Sequence, residues 1–97
     1  MKSSGTGNPP SVAVVGTGYW GKNLVRNFHQ IGALRMICDK NETVLGALKA
    51  QHPGVETCYG LTDVLKREDI SCVAIATPAE THFFLAREAL LAGKHVF

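Results

Sequence analysis

The sequence predicts an α/β fold in which helices cover both faces of a parallel sheet. Two continuous apolar runs, at 12–15 and 72–76, are typical of strands that are buried on both faces. Segments with helical periodicity alternate with further strand candidates along the chain, which is the pattern of βαβ units. Because such crossovers are right-handed, we expect a three-layer Rossmann-type arrangement of five strands in the order 3-2-1-4-5.

The first strand and the first helix meet at a glycine loop. The strand at 12–15 ends at Gly16. Apolar residues then recur at intervals of three and four until Gly32, where the helix should end. The apolar stripe of this helix consists of Trp20, Leu24, Phe28 and Ile31.

The middle of the chain supplies two more pairs of a strand and a helix. Residues 34–38 are the second strand candidate, and residues 42–51 have the pattern of a helix. Residues 55–59 are a weaker third strand candidate. Residues 62–66 predict a short helix with Thr62 as its N-cap.

The last helix should begin just after the fourth strand. Thr77 is expected to cap it, Pro78 to occupy its first turn, and Glu80 to reach back to the cap. Gly93 should end this helix, and residues 95–97 begin a fifth strand. Its packed face is expected to consist of Phe84, Leu85, Ala89 and Leu90.

The composition indicates one domain and argues against several classes of function. Residues 1–10 are rich in Ser, Gly, Asn and Pro and are expected to be a flexible lead-in, whereas residues 11–97 can form one core. The formal net charge of +2, with Lys and Arg scattered along the chain, argues against nucleic-acid binding. No apolar run approaches about 20 residues, so we expect no membrane segment and a cytoplasmic location.

The three cysteines are expected to be structural. Cys38, Cys58 and Cys72 have no CxxC or Cys/His spacing, so the sequence predicts neither a disulfide framework nor a metal site. Each is interpreted as a small, buried apolar residue.

A glycine-rich loop carries the first functional signal. Its sequence, GTGYWG at 16–21, matches the GxGxxG pattern of a dinucleotide-binding turn between a strand and a helix. The first glycine permits the tight turn, the second lets a diphosphate approach the backbone, and the third lets the helix pack closely on the strand. The phosphates would bind free N–H groups at the helix N-terminus. The predicted loop residues are Gly16, Thr17, Gly18, Tyr19, Trp20 and Gly21.

An acidic residue is placed where it can select the cofactor. Asp39 ends the second strand roughly 20 residues after the glycine loop, where a bidentate hydrogen bond to the adenosine ribose diol is expected. Its carboxylate would repel a 2′-phosphate by about a kcal/mol or more, so NAD is preferred over NADP. Lys40 could partly offset this repulsion and is a further candidate contact. The alternative is that the glycines serve turn geometry alone and that Asp39 caps the next helix.

Four segments resemble a known family. They read VAVVGTGYWGKNLVRNF, ICD, VAIATPAETH and ALLAGKHVF. Together they resemble the amino-terminal domain of the Gfo/Idh/MocA oxidoreductases, which include glucose-fructose oxidoreductase and inositol dehydrogenase, over nearly all of residues 11–97. The Thr-Pro strand end, the histidine that follows it and the segment ALLAGKHV are more discriminating than the glycine loop.

The resemblance implies an NAD-dependent oxidoreductase that acts on a hydroxyl of a sugar or a nucleotide-linked sugar. Ala76, Thr77 and Pro78 would line the cofactor groove, and His82 would lie nearby. Ala79 departs from the family, in which Asn is common at this position.

Members of the family continue into a Glu-Lys-Pro segment and a second domain that holds the catalytic residues and the sugar pocket. We therefore expect a domain that is incomplete at its carboxyl end, contains no catalytic residue and binds the cofactor without turnover. The parent enzyme is expected to be a homo-oligomer.

Two other functions remain open from the sequence. One is a non-catalytic regulatory module that binds a nucleotide or CoA; Asp39 argues against CoA, because the ribose of CoA is phosphorylated. The other is an enzyme that uses a methyl donor, against which Gly21 and the Thr-Pro loop argue.

Overall fold

The computed structural model describes residues 11–97, which form five strands and four helices. In chain order these are β1 (Val12–Val15), α1 (Tyr19–Gln30), β2 (Leu34–Cys38), α2 (Glu42–Gln51), β3 (Glu56–Cys58), α3 (Leu61–Leu65), β4 (Cys72–Ile75), α4 (Ala79–Leu91) and β5 (His95–Val96). All strand pairs are parallel and the order is β3-β2-β1-β4-β5, which confirms the predicted fold class and topology. The lead-in predicted at 1–10 lies outside the described residues.

Alternate residues of β1 belong to cores on opposite faces of the sheet. Val12 and Val14 pack with apolar side chains of α1 and α2, whereas Ala13 and Val15 pack with those of α3 and α4. All four side chains are buried. A strand that is covered on both faces needs apolar residues at every position, which explains the continuous run and confirms the three layers.

Half of the predicted stripe of α1 faces the solvent. Trp20 and Ile31 are 71% and 69% exposed, so their assignment to the packed face is wrong. Leu24 and Phe28 do pack against the core, and the most deeply buried side chain of the helix is Val25. The helix approaches β1 through Val25 and the glycine one turn before it, and this orientation turns Trp20 outwards.

The packed face of α4 is also narrower than predicted. Leu85 and Ala89 pack against the core, as expected, together with Ala86. Phe84 and Leu90 are more than half exposed, so their assignment to this face is wrong. The most deeply buried residue of the helix is the small Ala89, and Phe84 and Leu90 stay outside the contact with the sheet.

Both predicted threonine caps are wrong. Gly60 is the N-cap residue of α3, so Thr62 already lies inside the helix. Within the described chain no side chain caps α4, which also rules out the expected contact from Glu80. Pro78 occupies the cap position with an extended backbone, φ −55° and ψ 148°, so that Thr77 lies one residue too early to cap.

The strand ends and the cysteines differ slightly from expectation. The third, fourth and fifth strands are each one or two residues shorter than predicted, because their end residues continue into the loops. Cys38 is buried as expected, whereas Cys58 and Cys72 are half-buried. All three are free thiols.

Candidate functional site

A cavity of about 860 Å³ opens at the carboxyl ends of β1, β2 and β4. The chain passes from β1 to β2 on one side and reaches β4 on the other, so this is the switch point of the sheet, where ligands of such folds bind. Of the twelve residues predicted from the sequence, Gly21 and His82 lie outside the lining. The ten that line the cavity are Gly16, Thr17, Gly18, Tyr19, Trp20, Asp39, Lys40, Ala76, Thr77 and Pro78.

The turn after β1 can be made only by a residue without a side chain. Gly16 has φ +94°, which L residues with a Cβ rarely adopt. A Cβ at this position would lie 2.9 Å from the carbonyl carbon of Ala76 and 2.9 Å from the amide nitrogen of Thr77. The loops after β1 and β4 therefore touch through their backbones, which places both beside the cavity.

The other two glycines of the loop differ in their surroundings. A Cβ on Gly21 would lie 2.0 Å from the carbonyl oxygen of Gly16, so the close packing of α1 depends on this glycine. A Cβ on Gly18 would have no protein atom within 4 Å, and Gly18 lines the cavity. The space beside Gly18 is therefore available to a ligand.

The N-terminus of α1 faces this space without a cap. Gly18 is its N-cap residue, and among the described residues no side chain caps the helix and no acidic residue lies in its first turn. The first N–H groups of a helix have no partner within the helix, and the helix dipole makes this end positive. Since Gly18, Tyr19 and Trp20 line the cavity, this wall is suited to an anion such as a phosphate.

The cavity lining also carries an oriented carboxylate, next to the glycine loop. Oδ2 of Asp39 accepts hydrogen bonds from the amide nitrogen of Thr17 at 2.8 Å and from Thr17 Oγ1 at 2.5 Å, and Oδ1 accepts from the amide nitrogen of Asn41 at 2.7 Å. Partial burial by itself raises the pKa of Asp39. The hydrogen bonds from the Thr17 hydroxyl and from backbone amides outweigh this effect and leave the pKa below its usual value. The carboxylate is therefore ionised near neutral pH.

The residues after β4 divide between the cavity and the sheet. Thr77 and Pro78 line the cavity, and Oγ1 of Thr81 lies 2.9 Å from Oγ1 of Thr77. Nε2 of His82 instead lies 3.0 Å from the carbonyl oxygen of Ile75, the last residue of β4. His82 thus ties α4 to the end of the strand, and its contact with a cofactor stays a prediction.

The cavity is also lined by nine residues that were not predicted as site residues from the sequence. Three of them follow β3, whose carboxyl end lies beside that of β2 in the predicted strand order, so the order could have indicated them. The nine are Val15, Cys38, Tyr59, Gly60, Leu61, Glu80, Thr81, Phe84 and Leu85.

No metal centre accompanies this site in the described part of the chain. Residues 11–97 contain no group of three or more His, Cys, Asp or Glu side chains that could hold an ion. The polar groups around the cavity are backbone amides and hydroxyls, which can donate to an anion, and carboxylates, which can accept from hydroxyl groups.

Comparison with known proteins identifies the family. A family model described as an oxidoreductase family with an NAD-binding Rossmann fold matches residues 11–97. The chain belongs to the Gfo/Idh/MocA family. This confirms the resemblance found in the sequence, and the parallel sheet with its glycine loop is the Rossmann fold of that family.

Several similar solved structures contain the cofactor. The WlbA dehydrogenase from Bordetella pertussis, in complex with NADH and UDP-GlcNAcA, is 32% identical with a TM-score of 0.82 over 92% of this chain and 28% of its own. The scyllo-inositol dehydrogenase from Lactobacillus casei, with NAD(H) and scyllo-inositol, is 29% identical with a TM-score of 0.82 over 93% of this chain and 27% of its own.

Curated relatives of this chain carry a different type of name. The glycosyl hydrolase family 109 protein 2 of Shewanella sp. (strain ANA-3) is 37% identical over 89% of this chain and 21% of its own length. The present chain therefore spans about a fifth of the length of the curated relatives that it matches.

Proposed function

We propose that this chain binds NAD and serves as the cofactor-binding domain of an oxidoreductase that acts on a sugar or a nucleotide-linked sugar. The observation that carries the proposal is that an uncapped helix N-terminus and an ionised carboxylate lie next to each other in the lining of one cavity. A dinucleotide has a diphosphate for the first and a ribose diol for the second. The domain boundary at residue 11 belongs to the same proposal.

Each part of the cofactor has a matching wall. The diphosphate would lie against the amides of Gly18 to Trp20, where the missing side chain of Gly18 allows close approach. The adenosine ribose would lie at Asp39, and the nicotinamide end would lie toward Thr77 and Pro78. When bound, the nicotinamide supplies hydride transfer, while this chain orients the cofactor and contributes no group to proton transfer.

Cofactor preference tests the role of the carboxylate. NAD is expected to bind about fivefold or more tightly than NADP, because the charge of Asp39 repels a 2′-phosphate. In Asp39→Asn the affinity for NAD should fall about tenfold, because the side-chain amide accepts fewer hydrogen bonds than the carboxylate. The preference for NAD over NADP should also become smaller, because the amide is uncharged. Isothermal titration calorimetry with both cofactors measures these values.

Glu80→Gln is the matched control for this experiment, because Glu80 is another carboxylate in the cavity lining. It should leave the preference for NAD unchanged. Equal affinities of the wild-type protein for NAD and NADP would contradict the role of Asp39. Parallel titrations with CoA and S-adenosylmethionine separate the proposal from a regulatory module and from a methyl-donor enzyme.

The space at Gly18 tests the position of the diphosphate. In Gly18→Ala the new methyl group meets no protein atom within 4 Å, so the melting temperature should stay close to that of the wild type. The same methyl group would occupy the approach of the diphosphate, and the affinity for NAD should fall about tenfold. Calorimetry and thermal unfolding of the same samples measure both. Unchanged NAD affinity would place the diphosphate elsewhere.

A second candidate activity follows from the curated relatives, which are named as glycosyl hydrolases at up to 37% identity. Some glycosidases depend on NAD, so the same cofactor site could serve hydrolysis in an enzyme that contains this domain. The two activities differ in net cofactor turnover. A dehydrogenase accumulates NADH as the sugar is oxidised, whereas a hydrolase releases free sugar with no net NADH.

Other properties of the whole protein stay predictions. No helix within residues 11–97 is both long and apolar enough to span a bilayer. A cytoplasmic location, a homo-oligomeric assembly and the lack of nucleic-acid binding are expected from the sequence and belong to this proposal.

A further inference from the structure

Thr17 is a buried polar residue whose two donors converge on one atom. Its exposed fraction is 3%, and both its amide nitrogen and its hydroxyl donate to Oδ2 of Asp39. These contacts join the loop after β1 to the end of β2 across 22 residues of sequence. The glycine pattern leaves the position of Thr17 free, so the hydroxyl is a property of this chain that the pattern does not require.

The contacts fix the orientation of the carboxylate. The carboxyl group of an aspartate rotates over a broad range when nothing holds it. Here Thr17 holds Oδ2 while the amide of Asn41 holds Oδ1, so both oxygens have fixed positions at the cavity wall. A group that is already oriented loses less conformational entropy when a ligand binds.

The same contacts favour the negative charge. Hydrogen bonds donated to a carboxylate stabilise its ionised form, and those from Thr17 are among the causes that keep the pKa of Asp39 low despite its partial burial. The charge is what distinguishes NAD from NADP at this wall, because it repels a 2′-phosphate.

We propose that Thr17 is a positioning residue that strengthens the preference for NAD by orienting the Asp39 carboxylate. The residue acts through Asp39. This inference rests on the proposed function, in which Asp39 binds the ribose, and it adds a second residue that determines cofactor specificity.

Thr17→Val tests the inference with little change in the size of the side chain. It removes the hydroxyl donor and keeps the amide donor. We expect the affinity for NAD to fall about fivefold to tenfold and the affinity for NADP to change less, so that the preference narrows. Thr17→Ser retains the hydroxyl and should keep the preference within about twofold of the wild type. Calorimetry with NAD and NADP gives all four affinities.

Titration of the Asp39 carboxyl carbon by NMR adds a measurement that a merely structural role would not affect. The pKa of Asp39 should rise in Thr17→Val and stay low in Thr17→Ser, because only the first loses a donor to the carboxylate. Glu80 is another carboxyl that lines the cavity, and repeating the titration in a Glu80→Gln background separates its signal. If Thr17→Val fails to fold, Thr17→Cys keeps a small side chain with a weaker donor and should narrow the preference partially.

The outcomes separate the two proposals. If Asp39→Asn leaves the affinity for NAD unchanged, the ribose contact of the proposed function is wrong. If Asp39→Asn weakens NAD binding while Thr17→Val matches the wild type in cofactor preference and in the pKa of Asp39, the positioning role of Thr17 is wrong and the proposed function stands.

Discussion

Gly21→Ala is expected to lower the free energy of unfolding by about 3 kcal/mol or more and to abolish NAD binding. The new Cβ would lie 2.0 Å from the carbonyl oxygen of Gly16 and 2.7 Å from its carbonyl carbon. Both are backbone atoms, and the loop cannot yield easily because the amide of Gly16 donates to the carbonyl oxygen of Cys38 at 2.8 Å. The N-terminus of α1 would have to move away from β1, and this movement would change the wall that we assign to the diphosphate.

Gly46→Ala is the matched control, because it makes the same substitution inside a helix. A Cβ on Gly46 would have no neighbour within 4 Å, and Gly46 does not line the cavity. Alanine is the better helix former, so this variant should be unchanged or more stable by about 0.5–1 kcal/mol. Urea denaturation followed by circular dichroism measures both variants. Similar midpoints for Gly21→Ala and Gly46→Ala would show that α1 does not need its close approach to β1.

The glycine loop was predictable because its requirements are those of the backbone. A turn with positive φ and a contact between two main chains allow only glycine, so Gly16 and Gly21 could be assigned roles from spacing alone. The strand order was predictable for a similar reason. Buried runs such as β1 and β4 must lie inside a parallel sheet, and right-handed crossovers leave few arrangements for the remaining strands.

The orientation of the helices was less predictable. Periodicity places Trp20 and Phe84 on an apolar face, but it does not show which part of that face approaches the sheet. In both helices the most deeply buried contact is at a small or β-branched residue, Val25 in α1 and Ala89 in α4, and the rings of Trp20 and Phe84 remain exposed. A pattern based on hydrophobicity gives glycine and alanine little weight, although close packing of a helix on a sheet depends on them.

Residues of the candidate site could be predicted where a position in the fold requires one type of residue. They were harder to predict where the contacts form between loops. Asp39 could be placed at the end of β2, but its hydrogen bonds to Thr17 depend on how the loop after β1 folds over that end. Tyr59 and Gly60 line the cavity because β3 lies beside β2. No motif marks these two residues, and only the sheet order could have indicated them.

Lys94 carries the second large expected effect, although it has no individual role in the sequence analysis beyond its place in the segment ALLAGKHVF. The side chain is 9% exposed, and Nζ donates to the carbonyl oxygens of Arg67 at 2.5 Å and Ile70 at 2.8 Å. These carbonyls belong to the turn between α3 and β4. The Lys94 ammonium therefore links that turn to the start of β5 through hydrogen bonds. Lysines are rarely buried, and a lysine between a glycine turn and an edge strand has the pattern of a solvated residue.

Lys94→Met is expected to lower the free energy of unfolding by about 3 kcal/mol. Hydrogen bonds to a charged donor contribute about 1.5–3 kcal/mol each, and methionine leaves both carbonyl oxygens without this partner. Since Lys94 does not line the cavity, the folded fraction should retain wild-type affinity for NAD. Urea denaturation gives the stability, and calorimetry below the unfolding transition gives the affinity.

Lys49→Met is the control that shows how much of the expected loss of stability comes from burial and how much from the loss of a hydrogen bond. Nζ of Lys49 also donates to a carbonyl oxygen, that of Val55 at 2.5 Å, but Lys49 is an exposed residue of α2. Water can replace an exposed donor, so this variant should lose less than about 1 kcal/mol. Equal losses in the two variants would mean that the buried position of Lys94 adds nothing. A much larger loss in Lys94→Met would show that burial of its ammonium makes the two hydrogen bonds harder for water to replace.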